Sequence, residues 1–192
     1  MENVIIENFL TMKLGNVPAK IFCMPVKEIL PIYYVAVRGK DSEEGAVQRV
    51  LSKRRISSIK DFILEGNCFF NSFILNWSNA DYKISLEEDK LIIPIVAKGA
   101  QVIDGQHRLE GLKQAYEVNN DVGEQKVIVI LTEYLSTNEA AKIFLNINTE
   151  QKPVPNSLVY DLFGEVKDKN YYIVRATDIA TKLHETIDSP YY

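Results

Sequence analysis

The sequence predicts an α+β fold, and three observations carry that expectation. Short β-rich runs at residues 72–77, 82–86, 91–96 and 126–131 are interleaved with segments of helical spacing. Polar or glycine turns separate the runs, as at Glu87-Glu88-Asp89-Lys90 and Lys98-Gly99. Finally, the strand Gln101-Val102-Ile103 passes straight into an amphipathic helix marked by Leu109, Leu112, Ala115 and Tyr116. With 192 residues, 46% of them hydrophobic, the chain can bury an ample core in one domain of ordinary size.

Taken in order, Lys20–Met24 and Tyr33–Val37 are bracketed by Pro18, Pro25 and Pro31 and read as edge or lead-in strands. The acidic stretch Asp41-Ser42-Glu43-Glu44-Gly45 suits the start of a basic helical region ending near Gly66, with Ile56, Ile59, Ile63 and Leu64 turned inward. Three strands follow, then the strand-to-helix junction, then a plain loop at Asn119–Gly123. The run Lys126–Leu131 has the composition of a strand buried on both faces. Ser136 and Glu139 form a capping box for a helix over Asn138–Leu145, whose packed side is Ala140, Ala141, Phe144 and Leu145. Pro153 and Pro155 stop that helix, and Leu158–Phe163, closed by Gly164, reads as another. Residues 168–188 again have helical spacing. The domain is expected to span residues 1–164, with 165–192 a C-terminal helix that begins a further region.

A net charge of −4 excludes a protein that coats nucleic acid through bulk attraction, so any DNA contact must be local. Met1–Asn8 carries Glu2 and Glu7 without an apolar run, and no stretch approaches about 18 uncharged apolar residues, which predicts a cytoplasmic chain with no membrane association. Cys23 and Cys68 lie in apolar surroundings without ligand spacing and read as buried thiols. Only His107 and His184 supply imidazoles, so no zinc site can be assembled and no protein metal site is expected.

The chemistry concentrates in Asp104-Gly105-Gln106-His107-Arg108. Gly105 permits a tight turn, the first amides of the following helix lack intrahelical partners, and the positive end of the dipole points outward. Arg108 adds a cationic fork, His107 a titratable group, Gln106 an amide able to read a base edge or orient a water, and Asp104 an N-cap or a metal or sugar-hydroxyl contact. The same five residues also describe an ordinary capped helix. Arg49, Lys53, Arg54, Arg55 and Lys60 form a basic patch that fits either DNA phosphates or a solvated helix face. Asn146, Asn148, Gln151 and Lys152 gather amides and an ammonium in what reads as one loop after a helix.

The string DGQHRLEGL, in VIDGQHRLEGLKQAY, resembles the signature of the DGQHR-domain family, whose members include DndB-type regulators of DNA phosphorothioation. Upstream, Gln48-Arg49 with Arg55-Ile56 and Ile59 is similar to the family's helical basic box, and residues 144–154 (FLNINTEQKPV) to its Asn-rich loop. The three motifs stand in order across residues 45–160. The family in turn resembles the ParB and sulfiredoxin superfamily, which implies a mixed, curved sheet with flanking helices and a strand-to-helix turn that binds nucleotide phosphates. Two positions depart from that superfamily: Gln106 stands where sulfiredoxin has its Cys, and Leu145-Asn146 where the ParB loop has its Glu-Asn pair.

The resemblance implies a bacterial, nucleotide-responsive transcriptional repressor of a DNA-modification system. It implies ATP or another nucleotide as ligand, with Mg2+ as its counterion, at Gly105, Gln106, His107, Arg108, Arg49, Arg55, Asn146, Asn148 and Lys152. DNA would lie on Lys53, Arg54 and Lys60, and the chain would form a homo-oligomer. The alternative is a ParB-like nuclease or nucleotidase with weak nucleotide hydrolysis or DNA nicking, in which Asp104 and His107 are catalytic.

Overall fold

Two-residue turns with positive φ build the first hairpins of the protein. Gly15 (φ 62°) closes β2 (Phe9–Leu14) on β3 (Val17–Pro25), and Glu88 and Asp89 (φ 48° and 62°) close β6 (Ser85–Glu87) on β7 (Lys90–Pro94). The computed structural model describes residues 2–36 and 51–149, together with Ile179 and Lys182. The chain divides into two units, residues 1–148 and 149–192. In the second, Ile179 and Lys182 are helical and exposed, and the expected boundary at 164/165 lies outside the described residues.

In the first unit, β1 (Asn3–Ile6) pairs antiparallel with β7, which pairs with β6. The other sheet has the order β2-β3-β9-β5-β8-β4, where β4 is Tyr33–Tyr34, β5 Phe73–Trp77, β8 Ala100–Asp104 and β9 Lys126–Glu133. It is mixed: β9 runs parallel to β5, β4 parallel to β8, and the remaining pairs are antiparallel. The helices are the short α1 (Val26–Ile29), α2 (Lys53–Leu64), α3 (Gln106–Val118) and α4 (Thr137–Thr149). The α+β class is therefore observed directly. Phe22, Met24, Phe73, Leu75, Trp77, Val102 and Val129 from the large sheet, Val4, Ile6, Leu91 and Ile93 from the small one, and Leu109, Leu112 and Ala115 from α3 form one core.

Several expectations change. The described basic helix starts at Lys53 with Ser52, not an acidic residue, as N-cap, and residues 37–50 lie outside the described residues. Leu64 is exposed, while Ile56 and Ile63 are buried. The segment after α3 is a 3-10 turn over Asn120–Glu124, capped by the Asn119 side chain. In β9, Val127, Val129 and Leu131 are buried but Ile128 is exposed: one face of the β2-β3-β9 region meets solvent, so composition alone overstated the burial. Both cysteines are exposed and free, Cys23 on that face and Cys68 between α2 and β5. The capping box forms as expected, Ser136 N donating to Glu139 Oε2 at 2.9 Å and Glu139 N to Ser136 Oγ at 3.3 Å. The helix runs past Leu145, which is exposed, to Thr149, so Asn146 and Asn148 occupy its last turn and not a loop.

Candidate functional site

The turn after β8 is shaped before any side chain acts. Between Ile74 and Leu75 of β5 the pairing with β8 shifts by one residue, an irregularity of the bulge kind directly beside Asp104. Gly105 then takes φ 99° and serves as N-cap of α3, the place expected for Asp104. A Cβ at Gly105 would lie 2.6 Å from Phe73 Cδ1 and 3.2 Å from an Arg108 Nη atom, so conformation and packing both require glycine.

Asp104 has another task. Its Oδ2 accepts from Arg108 at 2.9 Å, and the same guanidinium donates to the Asn71 carbonyl at 2.9 Å and the Ser72 carbonyl at 3.0 Å. Its carbon stands 4.5 Å from the Phe73 ring centre and 5.7 Å from that of Phe69. Burial lowers the Arg108 pKa and Asp104 opposes the shift; arginine stays charged at any working pH. Arg108 thus ties the end of β8 to the start of β5.

The neighbouring residues join α3 to α2. His107 Nε2 accepts from the Ser52 backbone N–H at 3.1 Å, and Ser52 Oγ accepts from Arg55 N at 3.4 Å. Burial, then the charge of Arg55, lowers the His107 pKa and favours the neutral ring. Gly111 lets the helices meet: a Cβ there would lie 2.2 Å from Ile59 Cγ2. On the other flank Tyr33 donates its hydroxyl to Glu110 Oε2 at 3.0 Å, and burial followed by the Glu110 charge raises the tyrosine pKa.

Gln106 is 9% exposed, and its Oε1 is buried without a hydrogen-bond partner among the described residues. It is the first residue of a 13-residue helix, where the opening amides have no intrahelical partner. The turn therefore combines anion-seeking amides, the nearby charge of Arg55, and a buried acceptor in need of a donor.

Of the expected site residues, Asp104, Gly105, Gln106, His107 and Arg108 lie in this turn, and Arg55 is near enough to act on His107 and Arg108. Lys53 and Arg54 are exposed on α2, and Lys60 meets Asp61 at 3.5 Å. Asn148 donates back to the Phe144 carbonyl at 2.8 Å, and no hydrogen bond or ion pair among the described residues joins Asn146 or Asn148 to the turn. Arg49 and Lys152 lie outside the described residues. Among the described residues there is no group of three or more His, Cys, Asp or Glu placed to hold a metal, and no helix long and apolar enough to cross a membrane. The sequence reading missed Ser52, Phe69, Phe73 and the carbonyls of Asn71 and Ser72. The aromatic run NCFFNSF was a signal for the two rings, whereas carbonyl acceptors leave none in a sequence.

The family described as DndB, DNA-sulfur modification-associated, matches residues 10–189, and the chain belongs to it. No curated protein matches the chain. Among solved structures, it is similar to the C-terminally truncated chromosome-partitioning protein ParB from Caulobacter crescentus complexed with CTP-gamma-S, at 14% identity and a TM-score of 0.49, over 82% of this chain and 69% of that one. The same bacterium's truncated ParB complexed to the centromeric parS site is similar at 12% identity and a TM-score of 0.36, over 87% and 73%.

Proposed function

We propose that this member of the DNA-sulfur modification-associated family is a nucleotide-responsive, DNA-associated regulator, acting as a transcriptional repressor, and that the nucleotide binds at the head of α3. The observation that carries the reading is the unpartnered, buried Oε1 of Gln106. An acceptor left unsatisfied there costs about 1–3 kcal/mol, whereas a ligand offering an anion and a hydrogen-bond donor together would satisfy it. A nucleotide is such a ligand, through its phosphates and its ribose hydroxyl or base amine.

In this reading the phosphates meet the amides of Gln106 and His107 and the charge of Arg55, while Arg108 holds the turn in shape through Asp104, Asn71 and Ser72. Arg49, Asn146, Asn148 and Lys152 are the further expected contacts. ATP is the leading nucleotide. Mg2+ would arrive on its phosphates, because no metal cluster exists among the described residues. DNA lies on Lys53, Arg54 and Lys60, next to Arg55, so both ligands address α2. The chain acts as a homo-oligomer.

Calorimetry with ATP and CTP, followed by DNA retention with and without nucleotide, tests the proposal. The expected result is a binding heat and a nucleotide-dependent change in DNA affinity without product. In the alternative, a ParB-like nuclease or nucleotidase, Asp104 would have to release Arg108 and His107 to release Ser52. Nicked DNA or free phosphate appearing with Mg2+ would favour it.

A further inference from the structure

Phe70 is 86% exposed, in the segment between α2 and β5. Single exposed apolar residues are ordinary; the mounting of this one is not. Before it, Phe69 stacks on Phe62 with ring centres 5.6 Å apart and meets Phe73 edge-on at 6.3 Å. After it, the carbonyls of Asn71 and Ser72 are both held by Arg108. Phe70 thus projects from a segment held by ring packing before it and by Arg108 of the DGQHR turn after it. With the backbone already held, only the ring itself has to be ordered when it stacks, which lowers the entropy lost on binding.

Charge along α2 sorts what the ring can meet. A shallow hollow on that helix is lined by Arg54, Ser57 and Ser58 toward its start and by Asp61, Phe62 and Glu65 toward its end. Phosphates are drawn to the Lys53–Arg55 end, whereas Asp61 and Glu65 repel them from the aromatic end. Phe62 lines that hollow, Phe69 stacks on it, and Phe70 is the next residue, so what suits the exposed ring is a flat, uncharged group attached to a polyanion.

We propose that Phe70 is a stacking platform for an unpaired nucleobase of a DNA strand whose phosphates lie along Lys53, Arg54 and Lys60 of α2. The inference rests on the reading that α2 carries DNA. In an intact duplex both faces of each base are already stacked, so the platform serves single-stranded or locally opened DNA and tolerates any base.

Fluorescence anisotropy of the full chain, with labelled oligothymidine and a duplex of equal length, tests it. Phe70→Ala is expected to weaken oligothymidine binding about 5- to 150-fold, the range for losing one base–aromatic stack, while duplex affinity and Tm stay unchanged. Phe70→Trp is expected to retain binding and to lose fluorescence when oligothymidine is added, against the constant signal of the fully buried Trp77. Equal oligothymidine affinity in the parent and Phe70→Ala overturns the proposal; if Arg54→Glu with Lys60→Glu still abolishes binding, the helix reading survives. Quenching by free ATP but not by oligothymidine overturns it too and assigns the ring to a mononucleotide. A parent chain that binds neither DNA overturns both readings.

Discussion

His107 Nε2 accepts a hydrogen bond from the Ser52 backbone N–H at 3.1 Å, so the DGQHR turn holds the N-cap of the basic helix directly. That acceptor exists only on a ring with Nε2 unprotonated. Burial and Arg55 lower the folded pKa below the ordinary 6.5, so the folded chain binds this proton less readily than the unfolded one. The contribution to stability is complete above about 6.5 and is lost as pH falls through the lowered value. Thermal melts of the parent and His107→Gln between about pH 7.5 and pH 5 should diverge, the parent losing more Tm over that range. Equal losses would remove His107 from the linkage.

Arg108→Ala strips two carbonyls and the Asp104 carboxylate of one shared donor group. Urea denaturation should show a loss of about 2–4 kcal/mol, as for a partly buried, charge-assisted cluster left without its cation. Arg108→Lys should recover less than half, because a point charge cannot span three acceptors. ATP affinity should fall further in Arg108→Ala than in His107→Ala, since the clamp sets the form of the turn as well as its charge.

Gly111→Ala sets two terms against each other. Alanine gains about 1 kcal/mol of helix propensity, but its Cβ would stand 2.2 Å from Ile59 Cγ2, and overpacking of that degree costs about 1–3 kcal/mol. Repulsion should win, with a net loss of about 1 kcal/mol and at most about 2 by chemical denaturation, and Ile59→Ala in the same chain should recover part of it. A stabilised single variant would mean that α2 and α3 can move apart freely.

Much of this architecture was legible because its signals are local. The strand-to-helix turn, the Ser136–Glu139 capping box and the β6–β7 hairpin are each written within a few residues. Properties set by distant neighbours were not. Ile128 and Cys23 are exposed because one sheet face meets solvent, and no periodicity in Lys126–Leu131 records that. Asp104 reads as a helix cap until Arg108, four residues on, is seen to claim it. Asn146 and Asn148 read as loop residues because asparagine is a weak helix former, yet α4 runs through both to Thr149.

DNA binding through α2 predicts a modest salt dependence. On a chain of net charge −4 only the cations of α2 are placed to neutralise phosphates, so log affinity against log salt should fall by about 0.9 for each phosphate that they meet. Arg54→Glu with Lys60→Glu should abolish retention in a low-salt filter assay while leaving ATP affinity nearly unchanged. Retention equal to the parent would make the basic face of α2 a solvated surface only.

Calorimetric titration of ATP into the parent and Gln106→Leu reads out directly whether a nucleotide binds at the head of α3. Leucine removes the buried, unpartnered Oε1 while keeping similar bulk, so the variant should melt at or above the parent temperature. Its ATP affinity should nevertheless fall about 5- to 150-fold, the equivalent of one lost hydrogen bond to a buried acceptor. A variant that is more stable and binds ATP as tightly as the parent would remove the nucleotide from this turn, as would a parent chain that binds neither ATP nor CTP.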